Sequence, residues 1–540
     1  MIPYLERVLN VRRGEFRPAS LLFLYLFLAI GCYIMGTAVG DAMFLSAFPT
    51  YLPHAIIATA LAVGIFTSIY VRLSRRVRLE LLIIGSLLFF ALSFAFFWWL
   101  THWSGKWAYA LIYVWVYMTG ALAPTMGWTL ANHALTTREA RRVFGFIGAG
   151  ANLGAPCAGF LTADLTRHAV RPETLLLVMA CGLGLCGLSV RLLFRQTQHR
   201  LQSFSQIPVE AETPRNLRQV WTHIHASRYL LLITALIAVG CAATRIVSYQ
   251  FQLIAFKSFS ANKVALSAFF GRFYGYLGLG SFILQMLLTG PLLRSFGLRV
   301  TLFVLPTILF GGSVAVLLAP VLLSACFLKG SHGLLRFSLD KSSTELLYLP
   351  VAPPKIKGQI KSFIDGFVWR MADGLAGIVL FVFGNKMKFS PGRISLVNFA
   401  FLLGWIFIAY GVRREYLRVL RWAIERRTLD PERTAAGVLD STTTEVLAQA
   451  LERGGEQQVL YGLSLFEVGR EPAWHPALRG LLEHPSADVR QRALHLLADA
   501  GHPEVLPQVE KMLADESVEV RAEALQYLVV QTGRDPLDLL

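Results

Sequence analysis

Twelve long apolar stretches between about residues 19 and 412 constrain the fold of this chain more than any other feature. A helix needs about 20 mostly apolar residues to cross the roughly 30 Å hydrocarbon core of a bilayer. The stretches of this length are 19–39, 52–71, 79–100, 107–128, 143–163, 174–194, 229–250, 264–290, 298–319, 320–338, 359–384 and 393–412. We therefore expect an all-α, polytopic membrane protein with twelve transmembrane helices.

The distribution of arginine and lysine among the loops predicts the orientation of the chain, because short cytosolic loops carry the excess of these residues. The N-terminal segment and the loops after the second, fourth, sixth and tenth stretches are basic, whereas the loop at 40–51 has no basic residue. The loop with Lys386, Lys388 and Arg393 is the exception. We expect a multi-pass protein of the cell (inner) membrane with both termini in the cytoplasm and with the first stretch as an uncleaved anchor.

The stretches are arranged as six, a longer polar loop at 195–228, and six more. This layout is typical of transporters built from two six-helix bundles, with the substrate site between the bundles near the membrane midplane. We predict an N-terminal bundle at 1–194, a cytosolic linker at 195–228 and a C-terminal bundle at 229–412. A channel or a membrane enzyme fits this arrangement less well.

The pattern changes after residue 412. Residues 413–429 predict an amphipathic connecting helix with arginines around Leu417, Leu420 and Ile424, lying at the headgroup surface. Residues 430–540 contain 9 Lys+Arg against 19 Asp+Glu, a net charge of −10, although the whole chain has a net charge of +17. Within them the pattern Asp488-Val489-Arg490 with Ala493-Leu494 recurs 31 residues later as Glu519-Val520-Arg521 with Ala524-Leu525.

A repeat of two short helices at this spacing predicts a cytosolic α-solenoid that resembles the HEAT repeat. Stacked repeats of this kind present a surface for protein contact, so a cytosolic protein partner is one expectation. A helical cap that stabilises the cytosolic face of the membrane domain is the other.

Other features argue against catalysis and against a bound cofactor. The six cysteines lie in the apolar stretches without metal-ligand spacing, and the GxGxxG match at 182–187 lies inside a stretch with no preceding strand. No catalytic grouping is visible, so we expect no enzyme, no metal and no cofactor. Nucleic acid is not an expected partner, because topology explains most of the basic surplus.

Ionisable residues inside the apolar stretches are the candidates for function, because a charge at the bilayer centre costs about 2.5–3.5 kcal/mol on insertion scales. They cluster in the second half. The candidates for binding an anion are Arg245, Arg272, Lys329 and Arg370, and those for coupling or gating are Asp41, Asp365 and Asp373. Neutral internal bridges, Arg370 with Asp373 and Arg336 with Asp340, are the structural alternative.

Several motifs carry a resemblance to known families. The spacing Gly150-xxx-Gly154-Ala-Pro156-xx-Gly159 is similar to the glycine-proline signature of major facilitator antiporters. The stretches 41–46, 142–150, Tyr249-Gln250-Phe251 and 269–273 resemble the ATP/ADP translocase family, especially bacterial members with cytosolic helical-repeat tails. The resemblance implies the major facilitator fold and nucleotide exchange, and it adds Tyr249 and Gln250 to the candidate substrate-binding residues.

We therefore expect a secondary active transporter that moves a small organic anion, nucleotide-like or another phosphate compound, by alternating access. Two alternatives stay open. One is a transporter-derived scaffold or receptor that recruits a protein through the repeats. The other is a lipid or lysolipid flippase, since the aromatic-rich segment Phe89–Trp99 could admit an acyl chain.

Overall fold

The computed structural model describes residues 16–74, 76–103, 105–168, 170–204, 217–260, 262–351, 354–426, 441–469, 476–500, 503–533 and 535. The regular secondary structure of the described residues is helical, and no strand occurs among them. Residues 1–15 of the basic N-terminal segment, the middle of the predicted linker (205–216) and residues 427–440, which include the end of the predicted connecting helix, lie outside the described residues.

The first half consists of six long helices. They are α1 (Phe16–Ala47), α2 (Leu52–Ser74), α3 (Leu79–Trp103), α4 (Ala108–Ala134), α5 (Thr137–Arg167) and α6 (Leu175–Phe204). A short helix, Leu217–Ala226, precedes the second half. α5 begins with a capping box, in which the Thr136 side chain accepts from the Glu139 amide and the Glu139 carboxylate accepts from the Thr136 amide.

The second half has a comparable order with more irregular helices. α7 (Arg228–Ser258), α8 (Lys263–Leu287), α9 (Thr289–Leu318) and α12 (Ile394–Glu425) are single helices. We use α10 for the run Leu322–Leu335, the π-helical turn Arg336–Asp340 and Lys341–Leu347. We use α11 for Pro354–Phe363, the π-turn Ile364–Val368, Trp369–Leu380 and the π-turn Phe381–Lys386. π-turns are frequent at functional sites.

Ten helices of the described residues are long and apolar enough to cross a membrane. α8 and α10 are not among the ten. α8 contains Lys263 and Arg272, and the regular first segment of α10, Leu322–Leu335, has only 14 residues. The structure therefore confirms an all-helical, multi-pass membrane protein, while the count of twelve spans stays a prediction.

The glycines of the antiporter-like motif lie where helices approach closely. A Cβ on Gly150 or Gly154 would come within 2.4 or 2.3 Å of a backbone oxygen of α1, and one on Gly159 would come 2.5 Å from the Gly275 nitrogen of α8. Small residues at such crossings let helix backbones touch in a bilayer. α5 thereby joins the two halves through its contact with α8.

The predicted boundary at residue 412 is not a break in the helix, because α12 runs without interruption from Ile394 to Glu425. The remaining described residues form short helices, among them Ser441–Arg453, Glu456–Gly469, Ala487–Ala500 and Val518–Thr532. Ser441–Arg453 packs against α9 and α12.

Residues one repeat apart make equivalent contacts. Arg490 donates through Nη1 to the carbonyl oxygens of His484 and Pro485, and Arg521 donates through Nη1 to those of Asp515 and Glu516. Residues that are 31 positions apart in the sequence thus make the same contacts in the structure.

Candidate functional site

A cavity of about 440 Å³ lies between the two halves. α1, α2 and α4 of the first half and α7, α8, α10 and α11 of the second half contribute its lining. Ligand pockets in proteins typically measure about 300–1,000 Å³ and lie between domains or between helices of bundles. The cavity therefore has the size and the place of a small-molecule site.

The cationic side chains of the cavity come from the second half. They are Arg245 on α7, Lys329 and Arg336 on α10, and Arg370 on α11. Lys329 Nζ donates to Ser248 Oγ at 2.8 Å. The structure thus brings together three of the four predicted anion-binding cations.

Asp373 is the carboxylate among the lining residues, and its partner is Arg245. Arg245 Nε and Nη2 donate to the two carboxylate oxygens at 3.1 and 2.9 Å, and Cys241 Sγ lies 3.3 Å from Oδ1. The sequence offered a bridge between Arg370 and Asp373 on the same helix as the structural alternative, and it placed Arg245 among the anion-binding candidates. The structure corrects the pairing, because packing of α7 on α11 places Arg245 rather than Arg370 in the salt bridge with Asp373.

Arg336 is a cavity residue that the sequence analysis placed only in a bridge with Asp340. Its guanidinium carbon lies 4.2 Å from the centre of the Trp369 ring, and Nη1 lies 3.2 Å from His332 Nε2. A guanidinium over an aromatic face is a favourable cation–π contact. The signal for Arg336 was present in the sequence as a cation near the end of an apolar stretch.

Asp41 lies between the two halves at the end of the cavity. It is fully buried and accepts hydrogen bonds from Tyr117 of α4 at 3.0 Å and from Gln252 of α7 at 2.7 Å. Tyr117 and Gln252 both line the cavity. Asp41 therefore connects the cavity wall of one half to that of the other, which suits the gating role predicted for it.

Two more contacts join the halves beyond Asp41, at the end where α1 turns into α2. Lys263 at the start of α8 forms a salt bridge with Glu173 in the α5–α6 connection, and Tyr109 of α4 donates to Glu173 at 2.8 Å. Asn385 of α11 donates to the Thr50 carbonyl at 2.8 Å. Together with Asp41 these contacts join the two halves at that end of the cavity.

The other predicted site residues lie outside the cavity. Gln250 is fully buried and donates to Pro391 O and Ser395 Oγ, and Tyr249 packs against Gly384. Arg272 is half-buried on α8, and its Nε has no hydrogen-bond partner among the described residues. The family-derived positions Tyr249 and Gln250 thus belong to the packing of α7 against α11 and α12.

Asp365 lines a second, smaller pocket of about 200 Å³ inside the second half, together with Asp340 and Lys341. Cys241, Thr244, Arg336 and Trp369 line both pockets. Asp365 therefore neighbours the main cavity without lining it. Among the described residues no group of three His, Cys, Asp or Glu side chains is placed to hold a metal ion.

Comparison with known families agrees with this architecture. The family model described as TLC ATP/ADP transporter matches residues 92–328, and the model described as HEAT repeats matches residues 467–540. The predicted resemblance to the ATP/ADP translocase family is confirmed. Neither family model describes an enzyme.

Full-length relatives and a solved structure extend the comparison. The chain is 24% identical over 368 residues to ADP,ATP carrier protein 2 of Chlamydia pneumoniae, covering 57% of this chain and 66% of the relative, just under two thirds of its length. It is 22% identical over 394 residues to ADP,ATP carrier protein 2 of Chlamydia trachomatis, covering 63% and 72%. The nucleoside transporter NupG superposes with a TM-score of 0.51 at 12% identity, covering 75% of this chain and 99% of NupG, which shows a shared fold.

Proposed function

We propose that the protein is a secondary active transporter of a phosphorylated organic anion. The observation that carries the proposal is the cavity between the halves, whose described lining residues include four cations and one carboxylate. Cations at membrane depth are costly unless something neutralises them. An anion bound there would do so, and guanidinium groups match phosphate oxygens in geometry as well as in charge.

Twelve membrane helices in two bundles would move this anion by alternating access. With both termini in the cytosol, the contacts of Asp41, of Lys263 with Glu173 and of Asn385 with Thr50 lie on the external side. Toward the other end the halves share a longer hydrogen bond, Asn152 to Gln285 at 3.5 Å. This arrangement supports a state closed to the outside, with Asp41 as part of the gate.

Nucleotides are the first substrates to test. The relatives are ADP,ATP carriers by name, and the chain shares the family model of ATP/ADP transporters. Sugar phosphates and lysophospholipids should be tested beside nucleotides, because both carry a phosphate on a different uncharged group. Uptake of lysophospholipids would indicate the alternative function of a flippase.

The test is counterflow of labelled compounds into proteoliposomes containing the full chain. Loss of one charge-assisted hydrogen bond costs about 1.5–3 kcal/mol, so Lys329→Gln and Arg370→Gln should each raise KM by roughly ten- to a hundredfold. Arg418→Gln is the matched control, since Arg418 is exposed and is not among the residues that line the cavity. Absence of uptake of any anion, or full activity of the Lys329→Gln, Arg370→Gln double variant, would overturn the proposal.

A second role rests on the HEAT match at 467–540. Repeats of this class bind proteins along their stacked helices, so the repeat region would recruit a cytosolic partner to the membrane domain. A stoichiometric partner that co-purifies with the full chain and is lost on deletion of residues 430–540 would support this role. Transport that persists after the same deletion would show that the two roles are separate.

A further inference from the structure

Tyr33 of α1 lies directly on Gly120 of α4. A Cβ added to Gly120 would stand 1.9 and 2.3 Å from two carbon atoms of the Tyr33 ring, which no side chain tolerates. The absence of a side chain at position 120 therefore leaves the space that the ring occupies. Both residues line the cavity between the halves.

Tyr33 lies close to the cations of the second half. Its ring meets the Tyr117 ring edge-on, with centroids 6.4 Å apart, and the Arg245 guanidinium lies 5.8 Å from the Tyr117 centroid. The phenol of Tyr33 is within electrostatic range of Arg245, Arg370 and Arg336. Tyr33 thus stands beside the cations without belonging to their half.

The lining residues of the first half carry no charge among the described residues. Three of its hydroxyls already donate to protein oxygens: Thr37 to Ile34 O, Thr59 to Ala55 O and Tyr117 to Asp41. The Tyr33 hydroxyl has no hydrogen-bond partner among the described residues. It is therefore a polar group of this wall that a ligand can engage without breaking an existing bond.

We propose that Tyr33, held in place by Gly120, determines specificity by contacting the uncharged body of a phosphorylated ligand. The cations of the second half hold the phosphate, and Tyr33 selects compounds whose body carries a ring or hydroxyl groups. The inference rests on the proposed transport of a phosphorylated anion. It adds to that proposal the contact by which the protein would distinguish such compounds from inorganic phosphate.

The test compares glycine variants in the reconstituted full chain. Gly120→Ala should displace the Tyr33 ring and raise KM for the phosphorylated organic substrate by about tenfold, the loss of one contact of about 1.4 kcal/mol. Competition by inorganic phosphate should stay unchanged, because the cationic wall is intact. Gly184→Ala in α6 is the matched control, since a Cβ there meets nothing within 4 Å.

Tyrosine variants test the same contact without adding atoms. Tyr33→Phe should lose the hydroxyl contribution and Tyr33→Leu the ring contribution as well, each seen as a higher KM at similar maximal rate. In the Gly120→Ala, Tyr33→Ala double variant the two effects should not add, because the alanine methyl group then has no ring to displace. These variants decide the matter even if Gly120→Ala alone does not fold.

The failures of the two proposals are distinguishable. If the wild-type protein transports no phosphorylated compound, the proposed function fails. If the wild type transports and Tyr33→Leu keeps the wild-type KM and selectivity, as Gly184→Ala should, Tyr33 has no specificity role and this inference is overturned.

Discussion

Arg245 and Asp373 show how a charge pair inside a membrane domain is maintained. Both side chains are mostly buried, and the guanidinium meets the carboxylate through two parallel hydrogen bonds. Removing two charges from water is costly, and a bidentate pair offsets most of that cost. The pair therefore contributes little net stability while both partners are present, and a large penalty arises when one partner is missing.

Asp373→Asn should destabilise the protein by about 3–5 kcal/mol, because it leaves the Arg245 charge buried without its carboxylate. Thermal unfolding in detergent, followed by tryptophan fluorescence, would measure this as a lower Tm. The Arg245→Met, Asp373→Leu double variant should recover much of the loss, since it removes both charges. A Tm of Asp373→Asn equal to that of the wild type would contradict this view of the pair.

The sequence predicts which residues carry charge into the membrane but not which residues they meet. Arg245, Lys329 and Asp373 stand out because each interrupts an apolar stretch. The pairing of Arg245 with Asp373, 128 positions apart, depends on how α7 packs on α11. For Arg336 the i,i+4 spacing favoured Asp340. The π-turn at Arg336–Asp340, however, departs from the regular helix on which that spacing rule rests.

At the level of elements, the connections between helices bring the halves together on one side. Lys263 is the first residue of α8, just after its Asn262 cap, and Glu173 lies in the short 3₁₀ turn before α6. The position of each residue is set by the start of a helix. The contact between Lys263 and Glu173 therefore depends on the relative position of the two bundles. The proposed alternating access would require this contact to open in every transport cycle.

Cross-linking this contact should therefore stop transport. With the six native cysteines replaced, Glu173→Cys and Lys263→Cys would be joined by a short bifunctional thiol reagent, and counterflow should fall to the level of empty liposomes. Each single cysteine variant treated with the same reagent is the control. Wild-type counterflow by the cross-linked protein would show that the two bundles need not separate there.

In the repeat region the ion pair of Arg490 with Asp515 joins consecutive repeats. Arg490 donates through Nε and Nη2 to the Asp515 carboxylate at 2.9 and 2.8 Å, and this bond lowers the pKa of Asp515 below its usual value. A lowered folded-state pKa gives stability that is present above the unfolded value of about 3.9 and is lost as the pH falls toward the folded pKa.

Acid should accordingly loosen the helices Ala487–Ala500 and Val518–Thr532 below about pH 4. Hydrogen exchange of these helices in the full chain, measured between pH 6 and pH 3 and corrected for intrinsic rates, should show falling protection. Asp515→Asn should exchange faster at pH 6 and should lose most of the pH dependence. Equal acid sensitivity of the variant and the wild type would assign the effect to other carboxylates.

Apolar periodicity predicts the long helices well. It also explains why α12 continues past residue 412, where the change in composition predicted a boundary. The change from apolar to arginine-rich sequence at 412 favoured a separate surface helix. In the structure Val412, Tyr416, Leu420 and Ile424 are buried at four-residue spacing on one face of α12. This face continues the buried stripe into the arginine-rich segment, so the helix continues with it.

On the scale of the whole molecule, the two halves contribute different kinds of side chain to the lining of the cavity. The second half supplies the cations and the first half supplies an uncharged wall of hydroxyl, aromatic and small side chains. A ligand bound to the cations would contact the first half only through its uncharged body. Movement between the halves would therefore change the contacts of that body while the charged end stays in place.

The repeat region docks on the half that carries the cations, through Ser441–Arg453 on α9 and α12. The polar contacts are modest: Arg299 to Glu445 at 4.0 Å, with both side chains about half exposed, and Arg421 to Gln449 at 3.4 Å. Exposed ion pairs contribute about 0–1 kcal/mol and are screened by salt. By contrast Val446 and Leu447 are buried, and burying one such side chain contributes about 1.5–3 kcal/mol.

Apolar packing should therefore hold the repeat region on the membrane domain, in spite of the opposite charges of the two parts. Leu447→Asp should raise hydrogen exchange across Ser441–Arg453 at least tenfold, whereas Glu445→Gln and a rise to 0.5 M salt should change it less than threefold, as 0–1 kcal/mol allows. Protection of α4, far from the contact, is the control for global unfolding. Release of the helix by salt alone would show that charge attraction dominates the docking.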